Sequence, residues 1–217
     1  MNGFFDLPSD LQHSYGGLIA LHLREALLPV LAGLLLSLPV AQLCARFRWL
    51  YPPVLGVTTV LYAIPSLAFF VVLIDYTGQS EITVMIPLAV YSLVVLLPAI
   101  VDGVRSVPPE TLAAAQAMGF GPVRRYLQVQ LPIAVPAIIA GLRVAAVSSI
   151  SLVSVGMLIG NQGALGNMLY DANAYHLPML AVNSVLTTAV LAVLVDAALV
   201  AVRVLLTPWM PKKGATR

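Results

Sequence analysis

A chain of 217 residues that is 60% hydrophobic and only 9% charged, with a mean hydropathy of +0.96, is not a soluble domain; those carry about a quarter charged residues. A net charge of +2, with few and scattered basic residues, excludes a nucleic-acid partner. The single cysteine, Cys44, lies in an apolar run and can form neither an internal disulfide nor a metal cluster, so it reads as a small buried hydrophobe.

Residues 1–20, with Phe4, Phe5, Leu7, Leu11 and Tyr15, form an external N-terminal segment that lies along the outer interface or frays. It has no basic stretch and carries Asp6 and Asp10, so no cleaved signal peptide is expected. Charge-free runs mark the spans at 26–45, 50–74 and 82–101. Two more, at about 136–160 and 178–202, are interrupted only by Arg143 and Asp196. Each run is long enough to cross a hydrocarbon layer of about 30 Å as a helix. None alternates apolar and polar residues, which excludes a membrane barrel. The fold class is all-α integral membrane: five transmembrane helices within a transmembrane domain at 21–208, then a tail at 209–217.

Lysine and arginine orient the spans. Arg46 and Arg48 follow the first, Arg105, Arg124 and Arg125 lie between the third and fourth, and Arg203, Lys212, Lys213 and Arg217 follow the fifth. The tail to Tyr15 and the loops at 75–81 and 161–177 hold none. The N-terminus is therefore outside and the C-terminus cytoplasmic.

That orientation places the loop at 106–132 in the cytoplasm. Pro108-Pro109 suits a helix start, and Glu110 meets the positive end of the helix dipole. The segment from Leu112 to Met118 propagates a short helix of small side chains, capped by Gly119. Gly121-Pro122 starts a second short helix bearing Arg124 and Arg125, and Pro132 and Pro136 then redirect the chain into span four. A partner protein can approach such a small-residue surface closely; an interfacial helix that merely links two spans has the same pattern.

Within the spans, Tyr62, Pro65 and Ser66 mark a weak point in a helix, suited to a gate or to a kinked packing contact. Ser148, Ser151 and Ser154 recur every three residues, and Asn183 and Thr187 are four apart. These faces either line a path for a polar solute or serve as helix-packing glue. Arg143 and Asp196, each about 10 Å in from a cytoplasmic end, need partners and are expected to pair with each other or across a dimer, as a structural ion pair. Asp102 and Arg105, three apart, are expected to form a surface pair. Gly160, Gly163 and Gly166 space an outer loop. His13, His22 and His176 are isolated and make no metal site, and no GxxxxGK[ST] phosphate loop is present, so any ATPase is expected to be a separate chain.

The central loop also carries a motif. Ala113-Ala114-Ala115, then Gly119 and then Val129-Gln130-Leu131-Pro132 match the EAA, three residues, G, nine residues, I-x-L-P pattern with both gaps correct. In this the chain resembles permease subunits of bacterial ATP-binding-cassette importers, of MetI-like fold, with Ala113 standing where the motif has glutamate. "LYAIPSLAFF" (61–70), "VDGVRSVPPETLAAAQAMG" (101–119), "LPIAVPAIIAGLRVAAV" (131–147) and "VSVGMLIGNQGALGNMLYDAN" (153–173) look like the osmoprotectant branch, which imports glycine betaine, choline or carnitine.

The resemblance implies a plasma-membrane permease whose coupling helix, with Glu110, Ala113, Ala114, Ala115, Met118, Gly119, Arg124 and Arg125, docks on an ATPase. It implies two ATPase subunits using ATP-Mg, a second permease (this chain or a homologue), an external substrate-binding protein and no cofactor in this chain. It also implies a path near Tyr62, Pro65, Ser66, Ser148, Ser151 and Asn183. An importer for an amino acid or another small solute is the alternative, with an ATPase-independent channel or secondary transporter behind it.

Overall fold

The computed structural model describes residues 9–160 and 164–209, with side chains from Tyr15 onward. Phe4, Phe5, Leu7, Gly163 and the tail residues 210–217, among them Lys212, Lys213 and Arg217, lie outside the described residues. So do the side chains of Leu11 and His13.

Every regular element among the described residues is helical. The helices are α1 (Ser9–Arg46), α2 (Tyr51–Ala63), α3 (Ser66–Thr77), α4 (Glu81–Arg105), α5 (Pro109–Ala117), α6 (Pro122–Arg125), α7 (Leu131–Val153), α8 (Gly166–Ala174) and α9 (Pro178–Leu206). A 3₁₀ turn at Arg48–Leu50 precedes α2, a π turn at Tyr126–Gln130 joins α6 to α7, and a 3₁₀ turn at Ser154–Ile159 follows α7.

Three spans depart from the sequence reading. The first helix reaches back to Ser9, and its apolar part runs from Tyr15 to Arg46 instead of starting at residue 26. The charges that had marked its edge are accommodated: Arg24 Nη2 lies 3.3 Å from Glu81 Oε2, and His22 and Glu25 are fully buried. The second span is not one helix. α2 and α3 meet at 88°, so five spans are present only if this bent pair is one, beside four continuous ones. Ile64, held extended at ψ 123° by the proline after it, and Pro65 at ψ 133° break the ladder together.

The fourth span is longer than expected because Pro132 and Pro136 do not redirect the chain. Helical structure continues from Pro122 to Ile159. Pro132 falls in the first turn of α7, where its missing N–H is tolerated. The π turn closes with the Leu131 N–H donating to the Tyr126 carbonyl and takes up the slack before it.

Helix α4 is the centre. It packs against both α1 and α7, which also touch each other, burying Leu96, Leu97, Ile100 and Val101 in one core with Ala41, Cys44, Ile138 and Leu142. Because lipid tails are as apolar as leucine, such helices associate by close packing, and small residues permit it. A Cβ on Gly33 of α1 would lie 2.8 Å from Cβ of Ser92, and one on Gly141 of α7 would lie 2.8 Å from Cβ of Ala99. Neither backbone could approach α4 as it does with a larger residue.

Gly141→Ala is therefore expected to lower stability by about 1–3 kcal/mol, the usual cost of overpacking. Gly121→Ala, at φ −65° with open space around its Cβ, is expected to leave the thermal midpoint in detergent unchanged. Equal midpoints for the two variants would remove the close-packing argument.

Candidate functional site

The loop after α4 is two short helices clamped together. Pro108, extended at ψ 138°, caps α5, and Glu110 occupies its first turn. At the other end Gly119 stands at φ +80°, a left-handed conformation that glycine adopts without strain. Its N–H donates to Gln116 O (3.0 Å) and the Phe120 N–H to Ala115 O (3.1 Å). This bond pair closes the helix in a Schellman motif. Arg124 lies over the Phe120 ring at 4.3 Å and donates to Gln128 Oε1 (2.9 Å), while Arg125 reaches back across the turn to Gln116 Oε1 (3.1 Å). Tyr126 donates to Leu38 O on α1 at 3.2 Å, fixing the pair to the bundle.

The result is a shaped surface. Glu110, Ala113, Ala114, Met118 and Gly119 are exposed, with Met118 at 68%. Ala115 points inward at 2% exposure, so it seats the helix and is not offered to a partner. Val123, 71% exposed and not singled out from the sequence, extends the surface. A solvent-facing valine beside two arginines was its only signal.

A second assembly forms at the α2–α3 bend. Tyr91 of α4 donates to Ile64 O at 2.7 Å, satisfying a carbonyl that the break leaves without a helical partner. Tyr62 and Phe69 stand edge-on to its ring at 5.9 and 6.1 Å. Between the bend, α4 and α7 is a cavity of about 290 Å³ whose lining includes Tyr62, Pro65, Ser66, Tyr91 and Ser148 and no charged residue. Ser92 and Ser149 also line it, but their hydroxyls are committed to the Leu88 and Ala26 carbonyls, each at 2.7 Å. Ser66 and Ser148 remain able to meet a solute.

Four of the six residues expected along a path thus share one cavity. Ser151 instead lines a groove of about 280 Å³ between α7 and α9, with Ser154, Ser184 and Thr188. There Ser184 donates to Leu165 O (2.7 Å) and Thr188 to Ser184 O (2.8 Å). Asn183 lines neither space and Thr187 bonds Tyr15, both consistent with packing. Tyr91 was missed because its role depends on a partner 27 residues away, which no local pattern reveals.

Arg143 and Asp196 do pair, within one chain. Nε to Oδ1 is 2.6 Å and Nη2 to Oδ2 is 2.7 Å, a bidentate contact joining α7 to α9. Asp102 and Arg105 do not. Arg105 turns away to donate to Cys44 O (2.8 Å) and lies 4.8 Å over the Tyr51 ring, a contact that the short i,i+3 spacing on α4 does not compete with.

Neutralising either member of the intramembrane pair leaves an uncompensated charge. Arg143→Ala and Asp196→Ala are each expected to lose more thermal stability and membrane yield than the double variant, measured in the same detergent. Additive losses would mean that the pair does not act as a unit. Tyr91→Phe removes the bond at the bend and is expected to cost about 1 kcal/mol of stability.

Residues 30–212 match the model of the family described as binding-protein-dependent transport system inner membrane component. A glycine betaine/carnitine/choline transport system permease protein, OpuCD of Bacillus subtilis, is 31% identical over 194 residues, 89% of this chain and 84% of that one. The choline transport system permease protein OpuBD of the same organism is 34% identical over 77% of this chain and 74% of its own. The osmoprotectant import permease protein OsmW of Salmonella typhimurium is 29% identical over 86% and 89%. Among solved structures, the MetNI methionine ABC transporter in an inward-facing form superposes with a TM-score of 0.82 at 17% identity, over 93% of this chain and all of that one. That likeness concerns the fold.

Proposed function

The chain belongs to the family of binding-protein-dependent transport system inner membrane components, and we propose that it is the permease of an ATP-binding-cassette importer for osmoprotectant quaternary amines. It is a multi-pass inner-membrane subunit, and the amine class comprises glycine betaine, choline and carnitine. The likeness to a glycine betaine/carnitine/choline permease over 89% of the chain carries the choice of solute.

In this reading the N-terminus faces outward and the α5 end lies in the cytoplasm. The exposed face of α5 and α6, with Glu110, Ala113, Ala114, Met118, Gly119, Arg124 and Arg125, receives an ATPase subunit. Ala115 supports that face from behind. The surface is small-residued and rigidly closed, which suits insertion into a partner's cleft, and the absence of a carboxylate at Ala113 does not alter its shape. Two such ATPase subunits use ATP-Mg, a second permease completes the path, and an external binding protein delivers the solute. The transmembrane domain read from the sequence at 21–208 takes in the apolar part of α1 from Tyr15 as well, and the tail at 209–217 is cytoplasmic.

The solute passes the cavity at the bend. Its uncharged lining of aromatic rings and two available hydroxyls suits a weakly hydrated ammonium, which aromatic faces attract without holding it as a carboxylate would. Closure of the ATPase pair acts on α5 and α6 and shifts the spans between inward- and outward-open states.

The test is ATP-dependent uptake of labelled glycine betaine, choline and carnitine into proteoliposomes holding the whole transporter, with Gly119→Asp beside wild type. Uptake of at least one amine by wild type, and loss of ATP coupling when a side chain is forced into the left-handed position, is the expected result. Uptake without any ATPase would replace the importer by a channel or secondary transporter. ATP hydrolysis with no amine uptake would move the solute to an amino acid or another small molecule.

A further inference from the structure

A groove of about 470 Å³ opens at the α5 end of the bundle, beside the surface assigned to the ATPase. Four arginines line it: Arg46 from the last turn of α1, Arg48 from the following turn, Arg105 from the end of α4 and Arg125 from α6. Gln42 and Gln130 are also in its wall, and no carboxylate is. The nearest in sequence, Asp102 and Glu110, are both exposed, and none of the four arginines is in an ion pair among the described residues.

Their bonds leave donors to spare. Arg105 spends Nη2 on Cys44 O at 2.8 Å, and its buried Nε has no hydrogen-bond partner among the described residues. Arg125 spends Nη1 on Gln116, and Arg46 lies 5.4 Å over the Phe47 ring. Guanidinium does not shed its proton, so these charges cannot relax by titration. Four of them around one hollow repel each other until an anion enters. A phosphate ester fits best, because its oxygens accept the paired donors of several guanidiniums at once.

The groove's depth indicates where the phosphate comes from. Phe47 and Trp49, interleaved with Arg46 and Arg48 at the end of the first span, are 43% and 74% exposed. Aromatic residues that flank a span and face outward sit at headgroup level. Basic pockets between spans at that level hold anionic headgroups. We propose that this groove is a binding site for the phosphate headgroup of an anionic phospholipid, one that ties α1, α4 and α6 together next to the coupling surface.

The whole transporter, purified in detergent, would be examined by native mass spectrometry and thermal unfolding with added phosphatidylglycerol, phosphatidylcholine or inorganic phosphate. Arg46→Gln/Arg48→Gln would be compared with wild type, both positions being exposed and outside the packed core. Arg203→Gln, an exposed arginine at the same end but not in the groove, is the control for general surface charge. We expect phosphatidylglycerol retention to fall about tenfold or more in the double variant and to be unaffected in the control, with phosphatidylcholine giving no retention.

Equal retention of the two lipids, or equal losses in Arg203→Gln, would overturn the site. Stabilisation by inorganic phosphate as large as by phosphatidylglycerol, with no lipid retained, would overturn the lipid source. Unchanged lipid retention with weakened ATPase association in the double variant would assign the groove to the ATPase instead.

Discussion

The fold depends on how closely two helices approach α4. Water does not drive helices together inside a bilayer, so van der Waals contact must do it, and contact area grows as backbones come nearer. Gly33 and Gly141 bring α1 and α7 against α4 at successive heights of one stripe, Ala89–Ser92 and Leu96–Ala99. With that layer fixed, Ser149 can reach the Ala26 carbonyl and Tyr126 the Leu38 carbonyl, and α9 can be joined to α7 through Asp196. The bend, the cavity and the loop are all arranged around this packed centre.

Two irregularities of the chain are each closed by a side chain or backbone group close by. The carbonyl left over at Ile64 is taken by Tyr91, and the C-terminal end of α5 is closed by Gly119 and by the clamp from Arg125. Uncommitted donors gather in two of the spaces among the described residues. Ser66 and Ser148 do so in an uncharged cavity, and four arginines do so at the α5 end of the bundle. The first arrangement favours a solute that is passed on, the second a ligand that stays.

Much of this was legible in the sequence because the bilayer allows so few solutions. Two charges in apolar runs had to meet, and Arg143 and Asp196 do. The glycine after a run of alanines had to cap a helix, and Gly119 does. Prolines were harder to read, since local sequence does not say whether one will bend a helix. Pro87, Pro98 and Pro136 sit inside helices that continue, whereas Pro65 ends one. The difference at Pro65 lies in Tyr91, which stabilises the broken form from another helix. Charge-free length misplaced the first span for a related reason: Arg24 finds Glu81, and His22, fully buried, donates from Nε2 to Ile150 O at 2.9 Å.

The unbroken helical run from Pro122 to Ile159 makes a lever of the piece that carries both the loop arginines and Ser148. At 1.5 Å per residue, Arg124 lies about 28 Å from Arg143, and Ser148 about 8 Å beyond it on the other side. The bidentate bond from Arg143 to Asp196 is the natural fulcrum, because it is where α7 is pinned to α9. The long arm is therefore on the loop side, by a ratio of nearly four to one. Were the run to pivot there as one piece, a swing at the loop would reach Ser148, in the wall of the cavity, reduced about fourfold.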